Sequence, residues 1–112
     1  MPLFYKYHGA GNDFILLDDR EGELLEQFDQ PMIARWCERH FGIGADGLML
    51  LRNHPDYDFE MVYYNSDGNE SSMCGNGGRC IVDFAKKLGI FAIETIFSAI
   101  DGIHKAKINE DD

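Results

Sequence analysis

Apolar and polar positions change their spacing several times along the chain, and each change marks an element. Leu3 to His8 carries Phe4, Tyr5 and Tyr7 and reads as a strand. Gly9-Ala10-Gly11-Asn12-Asp13 follows as a turn, and Phe14 to Leu17 as a second strand, antiparallel to the first through that tight loop. Asp18 to Phe28 is acidic and weakly patterned, a surface loop with room for a short helical turn. Pro31 then suits the first position of a helix capped by Asp29 or Gln30. Ile33, Trp36, Cys37 and His40 would form its apolar stripe, and Gly42 would end it. Leu48 to Leu51 is a continuous apolar run, as in a buried strand. Asn53-His54-Pro55-Asp56 turns the chain into another strand, Phe59 to Tyr64. Ile93 to Phe97 and Ile100 to Ile108 close the series as strands, and Gly102 suggests a bulge or a close approach in the second of them.

The order β-β-α-β-β-α-β-β, with helices interrupting mostly antiparallel strands, predicts an α+β fold and not a doubly wound sheet. Asn109-Glu110-Asp111-Asp112 reads as a turn leading onward, so the chain is expected to stop mid-architecture.

Between the fourth and fifth of these strands lies the stretch with the most chemistry, Met73-Cys74-Gly75-Asn76-Gly77-Gly78-Arg79-Cys80. Asn65 to Ser72 before it is turn chemistry. After it, Ile81, Phe84, Ala85 and Leu88 recur at helical spacing, Lys86 and Lys87 suit a helix C-terminus, and Gly89 is a natural stop. Cys74 is thus expected at or just before a helix N-terminus, where unpaired backbone N–H groups favour negative charge and lower a thiol pKa. Gly75, Gly77 and Gly78 would let a ligand approach, and a carboxylate can sit on the same N–H groups. The plain alternative is that Cys74 is a small buried hydrophobe. Asn12 and Asn65 end turn-like stretches. Alone, either reads as an ordinary turn residue; together, beside the thiol, they could bind a carboxylate and an ammonium group.

Composition narrows the function classes. The chain has 112 residues, room for one domain, and is 45% hydrophobic and 27% charged, as in soluble globular proteins. Ten basic against twenty acidic residues give a net charge of −10. That argues against nucleic acid or an anionic membrane as partner. No apolar run is long enough to span a bilayer, and Met1 to Lys6 lacks the regions of a secretory signal. The three cysteines lack framework spacing, which indicates a reducing, cytoplasmic setting. Cys37 and Cys80 lie in helical patterns and read as structural.

Other patterns are weaker. Gly42-Ile43-Gly44-Ala45-Asp46-Gly47 matches G-x-G-x-x-G but follows a helix and precedes a strand, so it reads as a helix end plus a turn. Asn65-x-Asp67-x-Asn69 opens like a calcium loop but has Glu70 and Asn76 at the decisive positions. Cys74 and Cys80 are six apart, the histidines are scattered, and no metal site is expected.

His8-Gly9-Ala10-Gly11-Asn12-Asp13-Phe14 and Met73 to Cys80 resemble the two N-terminal signatures of the diaminopimelate epimerase family. Arg39 to Asp46 and Asn65-Ser66-Asp67-Gly68 are similar to further family segments, in the right order, so the likeness covers nearly the whole chain. The resemblance implies a cofactor-independent interconversion of LL- and meso-diaminopimelate, using no metal and two cysteines on opposite faces of the substrate α-carbon. It makes Cys74 one of that pair and implies substrate contacts from Asn12, Asn65, Gly75 and Asn76. It implies a curved, mostly antiparallel sheet wrapped around a central helix, with Ile81, Phe84 and Leu88 buried. Residues 1–112 would be the N-terminal catalytic half. The second cysteine would come from an absent C-terminal half, and a homodimer is possible. Glutamine is common in the family where Gly47 stands, which puts a substrate contact from that position in question, and Asn69 replaces a frequent serine. Cys80, on the same helix, cannot face Cys74 across a substrate.

Three alternatives stay open: a proline-racemase-like enzyme, a carboxylate-binding module without catalysis, and an interaction domain with an inert Cys74. The histidine common in proline racemases at the place of Asn76 is absent here. Thiol reactivity separates the inert domain from the rest, and turnover separates the enzyme from the binding module.

Overall fold

The computed structural model describes residues 4–8, 11–40, 42–72 and 75–107. Its elements in chain order are β1 (Tyr5–His8), β2 (Asp13–Asp18), α1 (Leu24–Gln27), α2 (Gln30–Cys37), β3 (Gly47–Arg52), β4 (Phe59–Asn65), β5 (Glu70–Ser71), α3 (Gly75–Lys87), β6 (Glu94–Ala99) and β7 (Gly102–Lys107). All strands join one sheet in the order β1-β2-β3-β4-β6-β7, with β5 also paired to β4. Four pairings are antiparallel, and β2–β3 and β4–β6 are parallel. The α+β class expected from the pattern is the class observed.

Side-chain alternation divides the sheet into two faces. Phe14, Leu16, Met49, Leu51, Phe59, Met61 and Tyr63 point to one face and pack on Cys80, Ile81, Phe84 and Ala85 of α3. Ile15, Leu17, Leu48 and Leu50 point to the other and pack on Ile33 and Cys37 of α2. Covered on both faces, β2 and β3 read as unbroken apolar runs, whereas β4 alternates buried and half-buried positions. Each fully buried large side chain, such as Phe14 or Phe84, contributes about 1.5–3 kcal/mol.

Helices on both faces add to the single central helix of the sequence reading, and the topology explains the addition. α2 connects the parallel neighbours β2 and β3, and α3 connects the parallel neighbours β4 and β6. Both crossovers advance the same way across the sheet, but β3 and β4 are antiparallel, so the strand direction reverses between them. Two crossovers of one hand must then lie on opposite faces. The sheet still curls around α3. Tyr5 and Tyr7 of β1 bring their rings to 5.1 and 5.9 Å from Phe84, while Ala99 and Ala106 reach the same cluster from the far edge.

α3 ends as the sequence suggests. Gly89 has φ +81°, its N–H donates to the Lys86 carbonyl, and the Ile90 N–H donates to the Ala85 carbonyl. This pair of bonds is the Schellman arrangement. Ile81 and Phe84 are buried, whereas Leu88, in the closing turn, is half-buried.

Four local expectations need correction. α2 stops at Cys37, not Gly42, because Glu38 is already extended. The N–H groups of Ile43 and Gly44 return to the Trp36 carbonyl, that of Ala45 to Cys37 and that of Gly42 to Glu38, so the following segment satisfies the helix end. Gly42 is needed for close approach, since a Cβ there would lie 2.1 Å from the Arg35 carbonyl oxygen. His40 consequently lies beyond the helix and is exposed. β5, within a stretch read as pure turn, pairs with Tyr63 and Tyr64. Gly102 marks neither a bulge nor a close approach: with φ +128° it closes the β6–β7 hairpin opposite Ala99. Gly9, Ala10 and Asn109 to Asp112 lie outside the described residues. Among the described residues no helix is long and apolar enough to cross a membrane.

Candidate functional site

The sheet register brings the candidate residues to one end. Phe14 of β2 pairs with Gly47 of β3, and Gly47 pairs with Asn65 of β4. β2 and β3 are parallel and both begin here, and antiparallel β4 ends here. Asn12 lies two residues before Phe14. The start of α3 covers the same end, since a Cβ at Gly77 would lie 3.7 Å from both the Phe14 ring and the Met49 sulfur. Strand alternation puts Phe14, Gly47 and Asn65 on the α3 side of the sheet.

Asn65 is exposed and opens a tight turn. Its N–H donates to the Asn69 carbonyl and its own carbonyl accepts from the Gly68 N–H. The turn rests on the start of α2: the Gln30 side-chain amide donates to the Asp67 carbonyl, and Gly68 has φ +89° with no space for a Cβ against the Gln30 carbonyl. α2 is in turn capped by Asp29, whose carboxylate accepts from the Met32 N–H at 2.9 Å.

Asn12 belongs to a polar network that the sequence reading missed. Its Nδ2 donates to Asp46 Oδ2 at 3.3 Å, and the Asp13 N–H donates to the same oxygen at 3.0 Å. The Arg39 guanidinium donates to both Asp13 oxygens, at 3.1 and 2.9 Å, and to Asp46 Oδ1 at 3.0 Å. Lys6 Nζ lies 3.3 Å from Asp13. The Arg39 hydrogen bonds hold the Asp13 carboxyl well below the usual range, against the opposing effect of partial burial and with help from Lys6. Within this network two carboxylates and two cations offset one another. Arg39 and Asp46 stand within a segment that reads as a helix end, a turn and a family likeness, and each looks like a surface charge in the sequence. The fold-back of residues 42–45 onto the end of α2, followed by the Asp46 N–H bond to the Asp13 carbonyl, brings them to the start of β2.

Cys74 lies outside the described residues, as does Met73. Gly75 and Asn76 are the first two residues of α3, so their backbone N–H groups stand in its first turn. The start of α3 therefore falls where the pattern put it, immediately after Cys74 in sequence. Cys37 and Cys80 are both buried, and burial pushes the Cys37 thiol up to about 11. At neutral pH Cys37 is therefore a protonated thiol within the core.

A groove of about 600 Å³ lies at the opposite end of the sheet, between Tyr5, Arg20, Leu24 and Asn53. Of its carboxylates, Asp18 and Asp19 are already paired, with Arg20 at 2.8 Å and Arg52 at 3.1 Å, and Glu21 and Glu23 line it as well. The helix that starts there, α1, already gives its first N–H, that of Leu24, to Asp19 at 2.8 Å, so the end near Asn12 and Asn65 is the better candidate for an anion.

The family model described as diaminopimelate epimerase matches residues 4–112. The chain belongs to the diaminopimelate epimerase family. Diaminopimelate epimerase of Flavobacterium psychrophilum is 59% identical over 108 residues, covering 96% of this chain and 42% of the relative. That of Aquifex aeolicus is 41% identical, covering 96% and 41%. That of Methanopyrus kandleri is 39% identical, covering 94% and 37%. The chain thus spans about two-fifths of the length of these relatives. In fold it is similar to a methylitaconate-delta-isomerase, at a TM-score of 0.68 and 13% identity over 96% of this chain and 34% of that one. It is also similar to a phenazine biosynthesis protein of the PhzF family from Bacillus anthracis, at a TM-score of 0.66 and 16% identity over 96% and 36%. At such identities these two likenesses concern the fold alone.

Proposed function

We propose that this chain is the N-terminal catalytic half of a cofactor-independent epimerase that interconverts LL- and meso-diaminopimelate, with Cys74 as one of two proton-transferring cysteines. The observation that carries the reading is the meeting of Asn12, Asn65 and the start of α3 at one end of the sheet, in a chain of this family.

The chemistry follows from that meeting. Cys74 as thiolate takes the α-proton: the C–H bond breaks and an S–H bond forms. A thiol on the opposite face gives a proton to the same carbon, so configuration inverts with no net change of charge or oxidation state. A thiol near its pKa serves in either direction. Charge that develops on the substrate carboxylate is stabilised by the backbone N–H groups of Gly75 and Asn76 at the helix start. The amides of Asn12 and Asn65 hold the carboxylate and ammonium groups. The pair of thiols does the whole proton transfer, so neither metal nor organic cofactor is required. The partner is the remaining portion present in the longer relatives, which supplies the second cysteine, and the setting is the cytoplasm.

The test is α-proton exchange with deuterated solvent, run on residues 1–112, on the chain joined to the C-terminal portion of the Flavobacterium psychrophilum relative, and on the joined Cys74→Ala variant. Exchange is expected only in the joined, unsubstituted protein, because inversion needs an acid/base on each face and misplacement by about 1 Å already costs on the order of a hundredfold. Full exchange in the isolated chain, or undiminished exchange in the Cys74→Ala protein, would refute the proposal.

A further inference from the structure

We infer that Asp46, held by Arg39, is a positioning residue that fixes the Asn12 side chain for ligand binding. The inference rests on the function proposed above and adds two residues to it.

Asn12 sits between a turn and the first residue of β2, where neither a helix nor a ladder sets its rotamer. Asp46 is a partner that holds it. A carboxylate only accepts hydrogen bonds, so it selects the nitrogen end of the Asn12 amide. The bond from Nδ2 to Asp46 Oδ2 at 3.3 Å thereby settles which way the amide is turned. The same oxygen takes the Asp13 N–H at 3.0 Å, so one carboxylate atom holds both the Asn12 side chain and the backbone beside it.

Asp46 needs support of its own, because it precedes β3 and its side chain is 38% exposed. Two contacts supply it. The Asp46 N–H donates to the Asp13 carbonyl at 2.9 Å, extending the β2–β3 ladder by one rung. Arg39 then spans Asp46 Oδ1 and both oxygens of Asp13 with one planar fork. A lysine has a single ammonium on a flexible stem and cannot reproduce that fork. Arg39 is itself placed by the fold-back of residues 42–45 onto the end of α2, and a Cβ at Gly44 would lie 3.3 Å from the Arg39 Cα. The order of support therefore runs from α2 to Arg39, from Arg39 to Asp46, and from Asp46 to Asn12.

A residue that acts through another has a distinctive signature: its substitution costs nothing more once the other is gone. In the joined protein described above, Asp46→Asn is expected to raise KM for diaminopimelate about tenfold, as expected for loss of a charge-assisted hydrogen bond, with a smaller effect on kcat. In an Asn12→Ala background the same substitution should leave KM unchanged. Arg39→Lys should show a milder form of both results. Equal effects of Asp46→Asn in the two backgrounds, or no effect in either, would overturn the inference. If the unsubstituted joined protein shows no turnover, the function proposed above fails, and this inference is decided on residues 1–112 by NMR. There the Asn12 side-chain NH₂ resonances should move, and their exchange with water should quicken, in Asp46→Asn. Unmoved resonances would overturn it.

Discussion

The Tyr63 hydroxyl occupies the place where a side chain at position 47 would begin. A Cβ on Gly47 would lie 2.7 Å from that oxygen and 2.8 Å from the Tyr64 carbonyl oxygen. The residue paired with Phe14 and Asn65 at the candidate site therefore has to be glycine while Tyr63 stays in its present rotamer. This gives a physical reason for glycine at position 47.

Gly47→Ala should destabilise the chain by about 1–3 kcal/mol, in the range of overpacking in a filled core. Gly47→Gln should cost at least as much. The urea midpoint reads both. Replacing Tyr63 by a smaller residue should return part of the loss, because the ring yields where the Tyr64 carbonyl cannot. An unchanged midpoint for Gly47→Gln would show that strand β3 accommodates a side chain at this position.

Cys37 makes alkaline stability a test of burial. Its thiol is pushed from an ordinary value of about 9 to about 11, chiefly by burial. The folded chain thus holds this proton more tightly than the unfolded chain does. Stability linked to Cys37 is complete below pH 9 and is lost as pH rises through about 11. The thermal midpoint should fall over that window, and Cys37→Ala should flatten this part of the decline. At pH 8 a small alkylating reagent should leave Cys37 unmodified. A pH profile identical in the variant would mean that Cys37 ionises equally easily in both states.

Arg52 and Asp19 join the far ends of β2 and β3 at 3.1 Å, and the Asp19 side chain is 1% exposed. Asp19 also accepts the Leu24 N–H at 2.8 Å, which starts the short helix α1. Arg52→Ala would leave this carboxylate buried without its cation, and such losses cost about 3–5 kcal/mol. Denaturant titration should show the cost, and α1 should lose protection from hydrogen exchange first. A loss under about 1 kcal/mol would place this pair among the weak surface bridges.

Much of the fold could be read from the chain because local signals agreed with tertiary demands. The runs Phe14 to Leu17 and Leu48 to Leu51 announced strands, the second of them a buried one, and Gly89 announced the end of α3. The misreadings lie where a distant segment decides. Gly42 looked like a helix stop because its close approach to the Arg35 carbonyl has no local signature. Glu70 and Ser71 sit among turn residues and become a strand only because the end of β4 offers an open edge. In the candidate site, Asn12 and Asn65 stood out as amides in turn-like stretches that follow strand-like ones. Asp46 did not, since an aspartate between Ala45 and Gly47 carries no sign that it will face Asn12 from the next strand.

The two parallel pairings also bear on the time course of folding. β3 lies between β2 and β4, so Asn12 and Asn65 share a surface only after it has inserted. Each parallel pairing closes a long loop containing a helix, and that entropy cost precedes the contacts that reward it. We expect the ability to bind a ligand at this end to appear late in refolding. Stopped-flow mixing can follow Trp36 fluorescence, which reports α2, beside quenching by a substrate analogue carrying a chromophore. Fluorescence recovery should precede analogue binding. Simultaneous recovery would mean that the whole sheet closes in a single step, with Asn12 and Asn65 brought together as early as the core itself.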